Sequence, residues 1–121
     1  MATTRTVVMS SPSPMVARDR LANRREHELI NFQHDGFAYI GGVGRFSDGR
    51  IAEVFLNVAK TGQAIEAHAR DAAIVASIAL QHGVPPDTIR HALTRNGNGT
   101  ASGPLGTLLD LLAPEPANED R

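Results

Sequence analysis

The chain has 121 residues, 41% hydrophobic and 21% charged, with a net charge of −1; this is the content of one soluble domain with tails, and a second domain has no room. It contains no cysteine, which excludes disulfides, thiolate nucleophiles, iron–sulfur ligation and cysteine-based zinc sites. The near-neutral balance gives the whole chain no nucleic-acid signature.

With four Phe, one Tyr and no Trp, the core has to come from Ile, Leu, Val and Ala, a composition that favours close helix packing and a partner that adds buried area. The longest apolar run, "AAIVASIAL" at 72–80, is far below the roughly 20 residues that cross a bilayer. "MATTRTVVMSSPSPM" lacks the continuous apolar segment of a secretory signal. The expected location is the cytoplasm.

Residues 1–22, rich in Ser, Thr, Pro and Arg, show no periodicity and are expected to form a disordered basic tail. Over residues 1–25, Arg5, Arg18, Arg20, Arg24 and Arg25 are set against Asp19 alone. The charges are either solvated or a basic arm for phosphate or an acidic partner surface. Met9 and Met15 are alternative starts. The folded domain is expected over 23–113, and residues 114–121, with Glu115, Glu119 and Asp120, form an acidic tail.

In "EHELINFQH" alternation puts Glu28, Ile30, Phe32 and His34 on one strand face and Leu29, Asn31 and Gln33 on the other. Asp35-Gly36 supplies the positive φ angles of a two-residue hairpin turn. "FAYIGGVGRF" is a second strand in which Gly41, Gly42 and Gly44 suggest a bulge or a close backbone approach. After the turn "SDGR", "IAEVFLNVA" is a third strand with Ala52, Val54, Leu56 and Val58 on one face. Three strands joined by tight turns make an antiparallel meander.

Thr61 can cap the helix "GQAIEAHARDAAIVASIALQHG", where Glu66 and Arg70 form an i,i+4 pair. From Ala72 to Leu80 this helix is apolar nearly all round, which predicts burial on more than one side, one against the sheet and the other against the next helix or a second subunit. Gly83 is placed to end it and Pro85-Pro86 to begin another, "PDTIRHALTR", with Ile89, Ala92 and Leu93 inward. "NGNGTASG" reads as a flexible loop. Pro104 opens a last helix, "PLGTLLDLLA", with a stripe of Leu105, Leu108, Leu109 and Leu112. The order β-β-β-α-α-α predicts an α+β fold with its helices on one face of the sheet.

Lys60-Thr61-Gly62, between the third strand and the long helix, is a candidate anion site, because helix N-terminal amides attract anions and a lysine adds charge. It reads equally as a capped helix start with a solvated lysine, and the Walker A glycines are absent. Histidine spacing argues against a metal. His27 and His34 fall on opposite strand faces, and His68 and His82 are roughly 21 Å apart along one helix. No Ser, His and Asp grouping of a hydrolase occurs. Asp71 is expected in a boundary ion pair beside Arg70 or His68.

"IALQHGVPPDTIRHAL" has the spacing of a helix-turn-helix, with Ala79, Gly83, Val84, Ile89 and Ala92 at the packing positions. Thr88, Arg90, His91 and Arg95 would then be the partner- or DNA-contacting residues. A plain helical hairpin needs the same small and apolar residues.

"GRFSDGRIAEVFLNVAKTG", "ARDAAIVASIALQHGVP" and "SGPLG", with "NRRE" and "ALTRNGNGTASGPLG", carry a resemblance over Asn23 to about Ala113. The chain resembles the TSCPD domain, found near the C-terminal end of adenosylcobalamin-dependent (class II) ribonucleotide reductases and in small stand-alone α-proteobacterial relatives. Lys60, Gly62, Gly83 and Pro85 match recurring positions of that family. The resemblance implies a bacterial accessory module of deoxyribonucleotide synthesis. In the reductases the radical cysteine lies in a separate barrel and the redox-active cysteines at the tail, and neither has a counterpart here. The Thr-Ser-Cys-Pro-Asp string is missing as well. No catalytic residue, metal or cofactor is therefore expected. The expected partners are a reductase large subunit or a nucleotide, together with a second copy in a homodimer. The alternatives are a DNA-binding regulator using 78–95, and a domain that completes a split reductase in trans.

Overall fold

The computed structural model describes residues 17–19, 21, 27–59 and 63–114. Strands β1 (His27–His34), β2 (Phe37–Arg45) and β3 (Ile51–Val58) form one antiparallel sheet in the order β1-β2-β3, followed by helices α1 (Gln63–Gln81), α2 (Pro86–Ala92) and α3 (Pro104–Leu112). This is the α+β meander that the alternation and turn residues predict. Asp35 and Gly36 both take positive φ, 51° and 81°, so the β1-β2 hairpin closes in two residues with a twist that matches its strands.

One face of the sheet is covered. Tyr39, Val43, Val54, Leu56 and Val58 are buried there under Ala69, Ala73, Ala76 and Leu80 of α1 and Leu105, Leu108 and Leu109 of α3. Positions 69, 73, 76 and 80 recur every three or four residues, so they form one helical stripe. Alanine at three of them lets α1 lie close to β3. Leu108 is fully buried, a burial that contributes about 1.5–3 kcal/mol.

The glycines of β2 answer to two side chains. A Cβ on Gly41 would lie 2.8 Å from Leu108 Cδ1, so the glycine makes room for α3. A Cβ on Gly44 would collide with the side chain of Glu53, which is buried. The predicted bulge is also present, as a register shift between Gly44 and Arg45.

β3 lies at the edge of the sheet, and α1 closes part of that edge. Val54 N–H donates to Ser77 Oγ at 2.9 Å, Ser77 Oγ donates to Val54 O at 3.1 Å, and Gln81 Nε2 donates to Ala52 O at 3.0 Å. Backbone groups that would otherwise be open for pairing are thereby satisfied. The predicted Glu66–Arg70 pair is present at 2.9 Å.

Three expectations are corrected. The next helix does not cover the outer side of α1, since Ile74, Val75 and Ile78 are 56%, 66% and 40% exposed within the chain. The short α2 packs against α3 and leaves them uncovered. The second helix stops at Ala92, with Leu93 already extended, because a bridge between Arg95 and Ala101 draws the chain out of the helix. The "NGNGTASG" stretch is a hydrogen-bonded turn. Asn96 N–H donates to Thr100 O at 2.8 Å, and Asn98 Oδ1 accepts from Thr100 N–H at 3.1 Å.

Candidate functional site

The predicted contact residues Thr88, Arg90, His91 and Arg95 divide into two groups. Thr88 and His91 are exposed on α2. Arg90, on α2, and Arg95, beyond its end, converge on Asp110 of α3. Arg95 forms a two-pronged fork, Nη1 to Oδ2 at 2.6 Å and Nη2 to Oδ1 at 2.8 Å, while Arg90 Nη1 reaches Oδ1 at 3.4 Å. Arg90 Nε also donates to Asp87 at 3.3 Å, and Arg95 Nη2 to Arg90 O at 3.3 Å. The Arg95 guanidinium, with Arg90 adding to it, holds the Asp110 carboxyl below its usual range despite partial burial, and hydrogen bonding to Asp110 raises Arg95 in turn. A forked arginine–carboxylate pair is the strong geometry for such contacts. Both guanidiniums are thus engaged in joining α2 to α3.

Lys60, Thr61 and Gly62 lie outside the described residues, so the anion reading there stays an expectation. Among the described residues no group of three or more His, Asp or Glu side chains could hold a metal. The histidines serve separate places. His27 Nε2 lies 3.0 Å from Glu53 Oε2, with its ring edge-on to Phe55. His34 Nε2 is 3.0 Å from Ser102 O and its Nδ1 3.0 Å from Thr107 Oγ1. His82 Nδ1 contacts Ile78 O at 2.9 Å. Asp71, expected in an ion pair, is exposed and makes none among the described residues.

A further surface is the outer face of the sheet. Leu29 pairs with Gly42 and Gly42 with Phe55, one row across three strands, and Ile40 lies in the next row. Leu29, Ile40 and Phe55 are 73%, 42% and 41% exposed. Around the edge of β3 this row continues into a groove of about 480 Å³ lined by Phe55, Ile74, Ile78, Arg70 and Arg18. Arg18 is held over it, its Nε donating to Gln81 Oε1 at 2.6 Å. The outward residues of the strands carry the only sequence signal for this face, an apolar residue where alternation calls for a polar one. A contiguous apolar area of this kind marks an interaction surface. No described helix is long and apolar enough to cross a membrane.

The sequence profile of the TSCPD domain matches residues 25–114. The vitamin B12-dependent ribonucleotide reductase of Agrobacterium fabrum is 36% identical over 77 residues, 64% of this chain and 6% of that protein. The vitamin B12-dependent ribonucleotide reductase of Bradyrhizobium diazoefficiens is 33% identical over 85 residues, 63% of this chain and 7% of that protein. The chain thus spans less than a tenth of the length of these curated relatives. No solved structure matches.

Proposed function

Since the chain belongs to the TSCPD domain family, we propose that it is an accessory module of deoxyribonucleotide synthesis, without catalysis of its own, that binds a ribonucleotide reductase subunit in the cytoplasm. The observation that carries this reading is the uncovered apolar row Leu29–Phe55 on the outer face of the sheet, on a chain related to one small segment of B12-dependent reductases. A segment that sits within a large protein and recurs in a small one has reason to keep a docking face. The absence of cysteine supports the non-catalytic part, because the thiyl radical and the dithiol of reduction both need one. Self-association into a homodimer is proposed through Ile74, Val75 and Ile78. A nucleotide is the alternative ligand. Titrating labelled protein with the reductase of the same cell and with dNTPs tests the reading; a saturable change with the reductase is expected, and no change with either contradicts it.

The second reading, duplex DNA bound by 78–95, is favoured by the α1-turn-α2 geometry around Gly83, whose φ is 95°, and by exposed Thr88 and His91. It requires duplex binding that weakens with salt as counterions are released and that falls on Arg90→Ala. The engagement of Arg90 and Arg95 with Asp110 ranks it second.

A further inference from the structure

A cavity of about 350 Å³ lies between α1, β2 and the start of α3, at the small end of the range for ligand pockets. Ile65, Ala69, Ala72, Leu93 and Pro104 make its walls apolar. Tyr39 is also part of the wall; it is 4% exposed, and its hydroxyl makes no hydrogen bond to any described residue. Its ring is stacked on Phe32 at 5.3 Å and set edge-on to His34 at 6.4 Å, so packing fixes the side chain in place. A buried hydroxyl without a partner is destabilising, and native structures seldom keep one unless a water or ligand completes it.

The same wall includes Leu105 and Gly106 in the first turn of α3. The first backbone amide of this helix to find an acceptor is that of Thr107, which donates to Gly103 O at 3.1 Å. Pro104 has no N–H, and Gly103 offers no side-chain cap. The amides of Leu105 and Gly106 are consequently donors without an acceptor among the described residues.

We propose that this cavity binds a small monocarboxylic acid, its carboxylate accepting from the Leu105 and Gly106 amides and the Tyr39 hydroxyl, its apolar body lying against Ile65, Ala72 and Leu93. The three buried groups are donors, which selects a ligand rich in acceptors. The positive end of α3 favours a single negative charge. Among the described residues of the wall His68 is the one basic side chain, which suits one negative charge better than two. His68 and Thr94 sit at the rim, exposed, where polar substituents of the acid would meet them.

The test is a titration of the full chain followed by amide NMR, with benzoate as the carboxylate probe, benzyl alcohol as its uncharged counterpart and inorganic phosphate as the dianion. Benzoate is expected to shift the Leu105 and Gly106 amides saturably, and Tyr39→Phe to weaken it by about five- to tenfold. Gly103→Leu, whose Cβ would meet nothing within 4 Å, should fold normally and abolish binding by filling the mouth of the cavity. Ligand-free Tyr39→Phe should melt no lower than wild type, because it removes a hydroxyl that has no partner among the described residues. Benzyl alcohol binding as well as benzoate, phosphate shifting these amides in its place, no saturable shift, binding that survives Gly103→Leu, or a Tyr39→Phe protein that melts several degrees lower would each overturn the assignment.

Discussion

His34 in the first hairpin and Thr107 in the last helix are 73 residues apart in sequence, and their side chains meet, Nδ1 to Oγ1, at 3.0 Å. The other ring nitrogen of His34 lies 3.0 Å from Ser102 O. With Nε2–H donating to Ser102 O, Nδ1 faces the Thr107 hydroxyl, whose single proton is divided between Nδ1 and Gly103 O, also at 3.0 Å. This partly buried histidine therefore joins the free end of the β1-β2 hairpin to the start of α3. His34→Ala should lower stability by about 1–3 kcal/mol, since it leaves Ser102 O without its side-chain partner and removes one of the two acceptors around the Thr107 hydroxyl. Thr107→Val should cost less, about 1 kcal/mol. Urea denaturation of both variants checks this, and equal stability of His34→Ala and wild type contradicts it.

Gly41 should not tolerate a methyl group while Leu108 is in place. The 2.8 Å approach to Leu108 Cδ1 predicts a loss of about 1–3 kcal/mol for Gly41→Ala, the usual cost of overpacking. Leu108→Ala alone should cost about 2–5 kcal/mol. The double variant should be less destabilised than the sum, because each change relieves the other. Strict additivity in a double-mutant cycle would show that the two positions do not share the space.

Asp110 gives the fold an acid limit. Its carboxyl is held below the ordinary value of 3.8, first by the hydrogen bonds from Arg95. A depressed folded-state pKa means the contribution is complete above the unfolded value and is lost as pH falls through the folded one. Stability should therefore decline in the window below pH 3.8, and Asp110→Asn should flatten that part of the profile while lowering stability at neutral pH. Thermal melts across the acid range measure both effects.

Much of this architecture is legible in the residues. Asp35-Gly36, the alternation in "IAEVFLNVA" and the Leu105, Leu108, Leu109 stripe each encode local geometry with a fixed period, and each appears where the pattern places it. The long-range choices are harder to read. Nothing local says that Ile74, Val75 and Ile78 face outward, because a helix that is apolar all round has no preferred side until its neighbours are known. Arg95 is read onto a helix because the bridge to Ala101 that pulls it away forms across a turn. Burial of Glu53 depends on the space left by Gly44 in the neighbouring strand. The cavity beside Tyr39 collects residues from four stretches of the chain, which periodicity in any one of them does not connect.

The outward side of α1 makes a prediction about assembly. Sedimentation of the wild-type chain should show a concentration-dependent dimer, and Val75→Glu with Ile78→Glu should yield a folded monomer whose melting temperature no longer rises with protein concentration. A wild-type chain that remains monomeric at high concentration removes the homodimer.

The most direct test of the central claim is a binding titration of labelled chain with the ribonucleotide reductase of the same cell, wild type and Phe55→Glu in parallel. Phe55 is 41% exposed at the β3 end of the outer row, where the row meets the groove along α1, so a charge there should leave the fold intact and spoil the docking face. The account predicts saturable binding by wild type, weakened at least about tenfold in the variant, as for a central interface residue. Absence of wild-type binding, or equal binding by the two proteins, would contradict it.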